Sequence, residues 1–227
     1  MDILAETDSF LVINKTAGLL VEQSPYYDSV EAQALQYFSK TKKKPFAGIV
    51  HRLDRPVSGA LLMAKKKSTL KALNEQFSRR SVQKTYLALV AAPPPEKSGE
   101  LCHWLKKDQK NKRAEVFEMP VKEATECRLS YWLLAQNLSV YLLEIIPFSG
   151  KFHQIRAQLS AAGCPILGDE KYGSRSDYLP EAIALHAWKL SFQNPENEAQ
   201  VQITAPPPDN HFWYPFLEKF KKNDHEK

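Results

Sequence analysis

"ATECRLSYWLLAQNLSVYLLEIIPF", Ala124–Phe148, contains two long runs rich in β-branched and aromatic residues, parted only around Gln136 and Asn137. That spacing predicts an antiparallel hairpin, because a parallel return needs a dozen or more connecting residues. Working outward, "KTYLALV" (Lys84–Val90) reads as a strand before it, and "IALHAWKLSFQ" and "AQVQITA" as two strands after it. Further towards the N-terminus, "SFLVINK" (Ser9–Lys15) and "ALLMAKK" (Ala60–Lys66) read the same way. Helical patterns are fewer. "SVEAQALQYFSK" has Ser29 as its N-cap, and Leu70, Leu73 and Phe77 recur at helical spacing in "STLKALNEQFSRR". "SGKFHQIRAQLSAAG" reads as a helix starting at Ser149–Gly150 and closed by Gly163. Strands follow strands too often for a doubly wound βαβ fold. The expected class is α+β: a large, mixed, mostly antiparallel sheet flanked by helices and loops.

A chain of 227 residues suits one well-buried domain, expected over 1–220, with 221–227 as a frayed basic tail. The Pro-rich "AAPPPEKSGE" is then a loop between two halves of one sheet. No apolar run approaches the ~20 residues of a membrane span. "MDILAETDSF" carries acids where a signal peptide carries bases. Cys102, Cys127 and Cys164 are odd in number and widely spaced, so no disulfide framework is implied. The expected setting is the cytoplasm. Net charge is +5, and "KTKKK" (Lys40–Lys44), "KKK" (Lys65–Lys67) and "KKDQKNKR" (Lys106–Arg113) concentrate it. Three such runs in one small protein favour a phosphate-rich ligand over three solvated loops.

"HRLDRPVSG" (His51–Gly59) sets Asp54 between Arg52 and Arg55, ahead of the apolar run from Ala60. A charged loop beside a turn is its plain reading. A kinase catalytic loop lacks the intervening leucine, and no glycine-rich phosphate loop accompanies it. The six histidines and three cysteines show no metal-binding spacing, so no metal is expected. No Gly-x-Ser-x-Gly elbow is present, and a glycosidase pair would need a second acid that the fold brings near the first. What remains is one carboxylate at the mouth of a core strand, which needs a cation to stay ionised if buried. Arg156, early in the "KFHQIR" helix with Lys151 and His153 near its N-terminal end, offers one, although on its own it reads as a surface helix residue. That end of a helix favours an anion.

Taken together, these stretches resemble the RluA-type pseudouridine synthases. "HRLDRPVSG" is similar to that family's His-Arg-Leu-Asp-x-x-Thr-Ser-Gly motif, "DSFLVINKTAGLLV" to its opening strand and turn, and "QKTYLALV" to its Lys-Thr-Tyr strand. "SGKFHQIRAQLSAAGCPILGDEKYG" resembles its Gly-Arg-x-His-Gln-Ile-Arg helix and Gly-Asp-x-x-Tyr-Gly loop, and "IALHAWKLSF" its late Leu-His-Ala strand. Four departures stand out: Thr16 for proline, Val57 for threonine, Lys151 for arginine, and Gln158 for a second histidine.

The resemblance implies a cleft across the sheet and an isomerase that detaches uracil from its ribose and rejoins it through carbon. Asp54 is then the essential carboxylate, attacking the sugar or the base, or removing a sugar proton. Arg156 holds it ionised, and Tyr86 stacks on the uracil. Arg52 fills the gap left by the flipped nucleotide. RNA contacts are expected from Arg52, Arg55, Lys106, Lys107, Lys112, Arg113, Lys151, His153 and Gln154. No cofactor is needed for an isomerisation. The partner is ribosomal or transfer RNA, with a slight lean to a compact stem-loop such as transfer RNA, and the protein is expected to be a monomer. The accessory N-terminal RNA-binding domain of many relatives is not expected. A silent RNA-binding protein or chaperone on the same fold, and a glycosidic-bond hydrolase, are the alternatives.

Overall fold

The computed structural model describes residues 1–41 and 43–217. Lys42 of the first lysine run, and the tail expected to fray over 221–227, lie outside the described residues. The chain forms two compact units, Met1–Lys84 with His186–Pro207, and Thr85–Leu185 with the segment that follows Pro207.

In the first unit, β1 (Ile3–Glu6) pairs with β2 (Phe10–Lys15), and β2 pairs along its whole length with β4 (Ser58–Ala64). A two-residue β3 (Gly48–Ile49) lies against the far end of β4. β10 (Leu185–Gln193) joins the start of β4 in parallel and carries β11 (Gln200–Thr204) antiparallel on its length. Every residue of β4 is buried. This explains its unbroken apolar run, since a strand covered on both faces has no polar alternation. α1 (Val30–Ser39) begins at Ser29, whose Oγ accepts from the Ala32 N–H at 3.2 Å, as expected. α2 (Lys67–Ser78) buries Leu73 in a core that includes Phe10, Val12, Leu62 and Phe192.

The second unit is an antiparallel sheet in the order β5–β9–β8–β6–β7, with β5 (Gln83–Val90), β6 (Ser98–Asp108), β7 (Arg113–Phe117), β8 (Thr125–Asn137) and β9 (Val140–Pro147). The hairpin expected from Ala124–Phe148 is present, with Asn137 opposite Val140 across a two-residue turn. Leu138 sits there at φ 51, the left-handed conformation such turns need. α3 (Gln154–Ala161) packs Ala157 against Leu105, Ala114 and Cys127.

Two details differ from the sequence reading. The β6–β7 hairpin was not anticipated, because its strands carry His, Trp and Lys rather than a clean apolar alternation. α3 also starts at Gln154, not at Ser149–Gly150. The Gln154 side-chain carbonyl accepts from the Ser149 hydroxyl at 2.7 Å and the Lys151 N–H at 3.2 Å, holding the approach as a turn. His153, at φ 53, redirects the chain into the helix.

Candidate active site

Asp54 is half-buried on a turn closed by the Val57 N–H donating to its backbone carbonyl at 3.0 Å. Beneath this turn lies Lys15, the last residue of β2 and only 1% exposed. Its ammonium donates to the carbonyls of Thr16 (2.9 Å), Leu19 (2.7 Å) and Arg55 (3.1 Å). Burial lowers the Lys15 pKa to about 8, and the Asp54 carboxylate opposes that fall while Arg55 adds to it. Lys15 thus remains mostly charged at neutral pH and supplies a positive field to the acid. Arg55 ties the turn to the segment around Gly18. Its Nε donates to the Gly18 carbonyl at 2.8 Å, and its guanidinium lies 4.9 Å from the centre of the Tyr27 ring. Arg52 is exposed and ion-paired with Glu22 at 2.7 Å.

The rest of the motif anchors the turn. The His51 ring stacks on Phe77 with centroids 5.0 Å apart, and its Nε2 accepts from the Leu62 N–H at 3.1 Å. Burial, then the Lys84 charge, pushes the His51 pKa down to about 3, so the ring is a neutral acceptor. Ser58 Oγ meets His186 Nδ1 at 2.9 Å, and His186 Nε2 donates to the Ala205 carbonyl at 3.1 Å. A carbonyl can only accept, so Nε2 carries the proton and Nδ1 accepts from the serine. Gly59 has φ 116, and a Cβ there would collide with the backbone N and O of Ala187 on β10. Ser58–Gly59 and His186–Ala187 are therefore two halves of one joint.

In the second unit, Tyr86 is half-buried on β5, opposite Ile145 of β9. Arg156, in the first turn of α3, is 5% exposed and forms a two-pronged ion pair with Asp169, 1% exposed, through Nε–Oδ2 at 2.7 Å and Nη2–Oδ1 at 2.8 Å. Its guanidinium also lies 5.1 Å from the centre of the Tyr172 ring. The Tyr172 hydroxyl accepts from the Ala114 N–H at 2.6 Å and meets His153 Nδ1 at 3.0 Å. Tyr172 thus fastens the β6–β7 hairpin to the start of α3.

The run Lys106–Arg113 forms the tip of that hairpin. Asp108 accepts from the Asn111 N–H at 3.1 Å, the Asn111 side-chain amide at 2.5 Å and the Lys110 N–H at 2.9 Å, and these bonds, those of Asn111 foremost, hold its carboxyl below the usual range. Lys106 pairs with Glu123 at 2.8 Å, Lys107 sits 4.8 Å from the Phe152 ring centre, and Arg113 sits 5.8 Å from that of Tyr172. Lys112 and Lys151 are exposed. Gln154 is 3% exposed, and its Nε2 donates to the Arg128 carbonyl at 3.1 Å. Both ends of that amide are therefore engaged inside the protein.

Residues 9–161 match the RNA pseudouridylate synthase family. The chain belongs to that family. The family's ribosomal large subunit pseudouridine synthase C from Buchnera aphidicola subsp. Schizaphis graminum is 33% identical over 90% of this chain and 67% of its own length. The enzyme of the same name from Haemophilus ducreyi is 34% identical over 90% and 65%. Ribosomal large subunit pseudouridine synthase D from Borreliella burgdorferi is 30% identical over 98% and 69%. The chain therefore spans about two thirds of the length of these relatives. The fold matches human RNA pseudouridylate synthase domain containing 4 with a TM-score of 0.76, at 24% identity, over 97% of this chain and 93% of that one.

Within this family assignment, the sequence reading passed over Lys15, Asp169, Tyr172 and His186 as site residues. The available signal was a lysine ending an otherwise apolar strand, and polar residues in the Gly-Asp-x-x-Tyr-Gly and Leu-His-Ala stretches. No described helix is long and apolar enough to cross a membrane.

Proposed function

We propose that the protein isomerises uridine to pseudouridine in ribosomal RNA, with Asp54 as the reacting carboxylate. The observation that carries this reading is the setting of Asp54: a half-buried acid on a turn pinned from below by a buried ammonium. A positive field and a fixed backbone suit an acid that must be ionised and aimed at a substrate atom. Arg156 is assigned as its charge partner, with Asp169 orienting the guanidinium. Tyr86 supplies an aromatic face for the uracil. Arg52 exchanges Glu22 for the space vacated by the flipped nucleotide, at a stacking cost of a few kcal/mol. The exposed cations of the β6–β7 hairpin and Lys151 follow the RNA backbone.

The names of the relatives favour ribosomal over transfer RNA as the target class. The same reading sets a monomeric protein in the cytoplasm, where ribosomal RNA and reducing conditions suited to its three free cysteines coincide. The test is tritium release from RNA labelled at uridine C5. Incubation with ribosomal RNA transcripts should release tritium and leave pseudouridine at defined positions. Free uracil with abasic RNA would instead identify a hydrolase. Tight RNA binding without tritium release would identify a silent binding protein.

A further inference from the structure

α2 carries a shallow, open and largely apolar groove made of none of the residues assigned to the reaction. It has a volume of about 450 Å³ and is lined by three cations (Lys67, Lys71 and Arg79), two neutral polar residues (Asn74 and Ser78) and one acid, Glu75, over Leu70. These residues recur at three- and four-residue steps, so they form one stripe along the helix. Among the described residues none of Lys67, Lys71 or Arg79 is ion-paired, although Glu75 lies four positions from both Lys71 and Arg79.

The placement of the lysines is electrostatically costly. α2 begins at Lys66, with Lys67 as its first residue, no acid in the first turn and no side-chain cap. The exposed N–H groups already make that end positive, so a cation there is unfavourable. The helix dipole favours Arg79 at the other end but opposes Lys67. An external anion would relieve that opposition.

The helix packs towards the end of the sheet away from the Asp54 turn: Gln76 exchanges hydrogen bonds with Gln193, seven residues along β10 from the His186–Ser58 pairing. Phe77, near its C-terminal end, stacks on His51, three residues before Asp54. From there the stripe runs back along 12 residues, about 18 Å at 1.5 Å per residue. Three cations in file along a helix fit a repeating phosphate chain better than a single compact anion.

We propose that the α2 groove binds the backbone of an RNA segment beyond the target loop. The proposal rests on the RNA reading above and goes beyond it by assigning a second contact surface. Asn74 and Ser78 supply hydrogen bonds to phosphate or ribose oxygens.

The experiment compares the full chain with Lys67→Gln/Lys71→Gln/Arg79→Gln on two RNAs. One is a stem-loop trimmed to the target loop, and the other carries a further flanking helix of ribosomal sequence. For the longer RNA the triple variant should raise Kd on the order of tenfold at physiological salt and lower the salt slope by about 2 to 3. kcat should be unchanged, as should Kd for the trimmed RNA. Far-ultraviolet circular dichroism and Tm, expected to match those of the parent, report the fold. Equal weakening on both RNAs, or none on the longer one, would overturn the groove assignment. If the parent binds RNA but forms no pseudouridine, the catalytic reading falls while the binding comparison still decides the groove.

Discussion

Arg156 and Asp169 face each other through two hydrogen bonds, at 2.7 and 2.8 Å, with both side chains almost completely buried. Two parallel N–H···O bonds fix the plane of the guanidinium as well as its position. Asp169 itself is held by its backbone, which accepts from the Tyr172 and Ser174 N–H groups at 3.0 and 3.1 Å. Removing one partner of a buried pair leaves an uncompensated charge, at about 3–5 kcal/mol. Asp169→Asn should therefore lose about 3 kcal/mol in urea unfolding. The double variant Asp169→Asn/Arg156→Met should be more stable than the sum of the single losses. Strict additivity would show that the pair is energetically independent.

Asp54→Asn keeps the size and polarity of the side chain and removes its charge. RNA affinity should change less than threefold, whereas tritium release should fall by at least about 10⁴, the scale on which catalytic carboxylates act. Lys15→Met should be milder, mainly lowering stability and slowing turnover, because it removes the ammonium and its field, leaving three carbonyls without their donor, but keeps the acid.

Two histidines held neutral in the fold, His186 and His51, set the acid limit. Burial pushes His186 down to about 4 from 6.5 and His51 to about 3. Between these values and 6.5 the unfolded chain holds more protons than the folded one, so stability falls as pH falls through that window. For His186 the loss between pH 6.5 and 4 is about 3 kcal/mol. The urea midpoint should drop steeply from pH 7 to pH 4.5. His186→Gln should start less stable and show a shallower slope. A midpoint flat over that range would contradict the burial of His186.

Gly59→Ala adds a methyl group where β10 backbone already stands, at a positive φ. The cost should be about 3 kcal/mol or more. Thermal unfolding measures it, and a loss below about 1 kcal/mol would mean that β4 and β10 separate easily at this joint.

The β6–β7 tip offers a separate electrostatic test. Neutralising Lys107, Lys112 and Arg113 should lower the salt slope of RNA binding by roughly 0.7 to 0.9 for each phosphate left without its cation. Lys106 should contribute less, because Glu123 already neutralises it. An unchanged slope would make the tip a solvated turn.

The α+β class and the 124–148 hairpin were legible because they rest on local patterns: a period of two and a two-residue turn. Ser29 and Gly163 marked their helix ends for the same reason, each acting within one turn of chain. The onset of α3 was not legible. It depends on the Gln154 side chain reaching back to Ser149 and Lys151, and nothing in a string of polar residues orders that contact. Asp54 stood out by its charged neighbours. Lys15, which comes 39 positions earlier and contacts the Arg55 carbonyl, has no local mark of its charge-bearing task. Ser58 and His186 are 128 positions apart and meet only because β4 and β10 lie side by side.

The Lys15 cradle is built of main-chain oxygens, and an ammonium has three hydrogens to place on three of them. Side-chain identity at Thr16, Leu19 and Arg55 is therefore irrelevant to those three bonds. Threonine at position 16, where the resembled family usually has proline, offers the same carbonyl that proline would. Such a cradle is indifferent to drift in the residues that form it and intolerant of drift in the residue it holds.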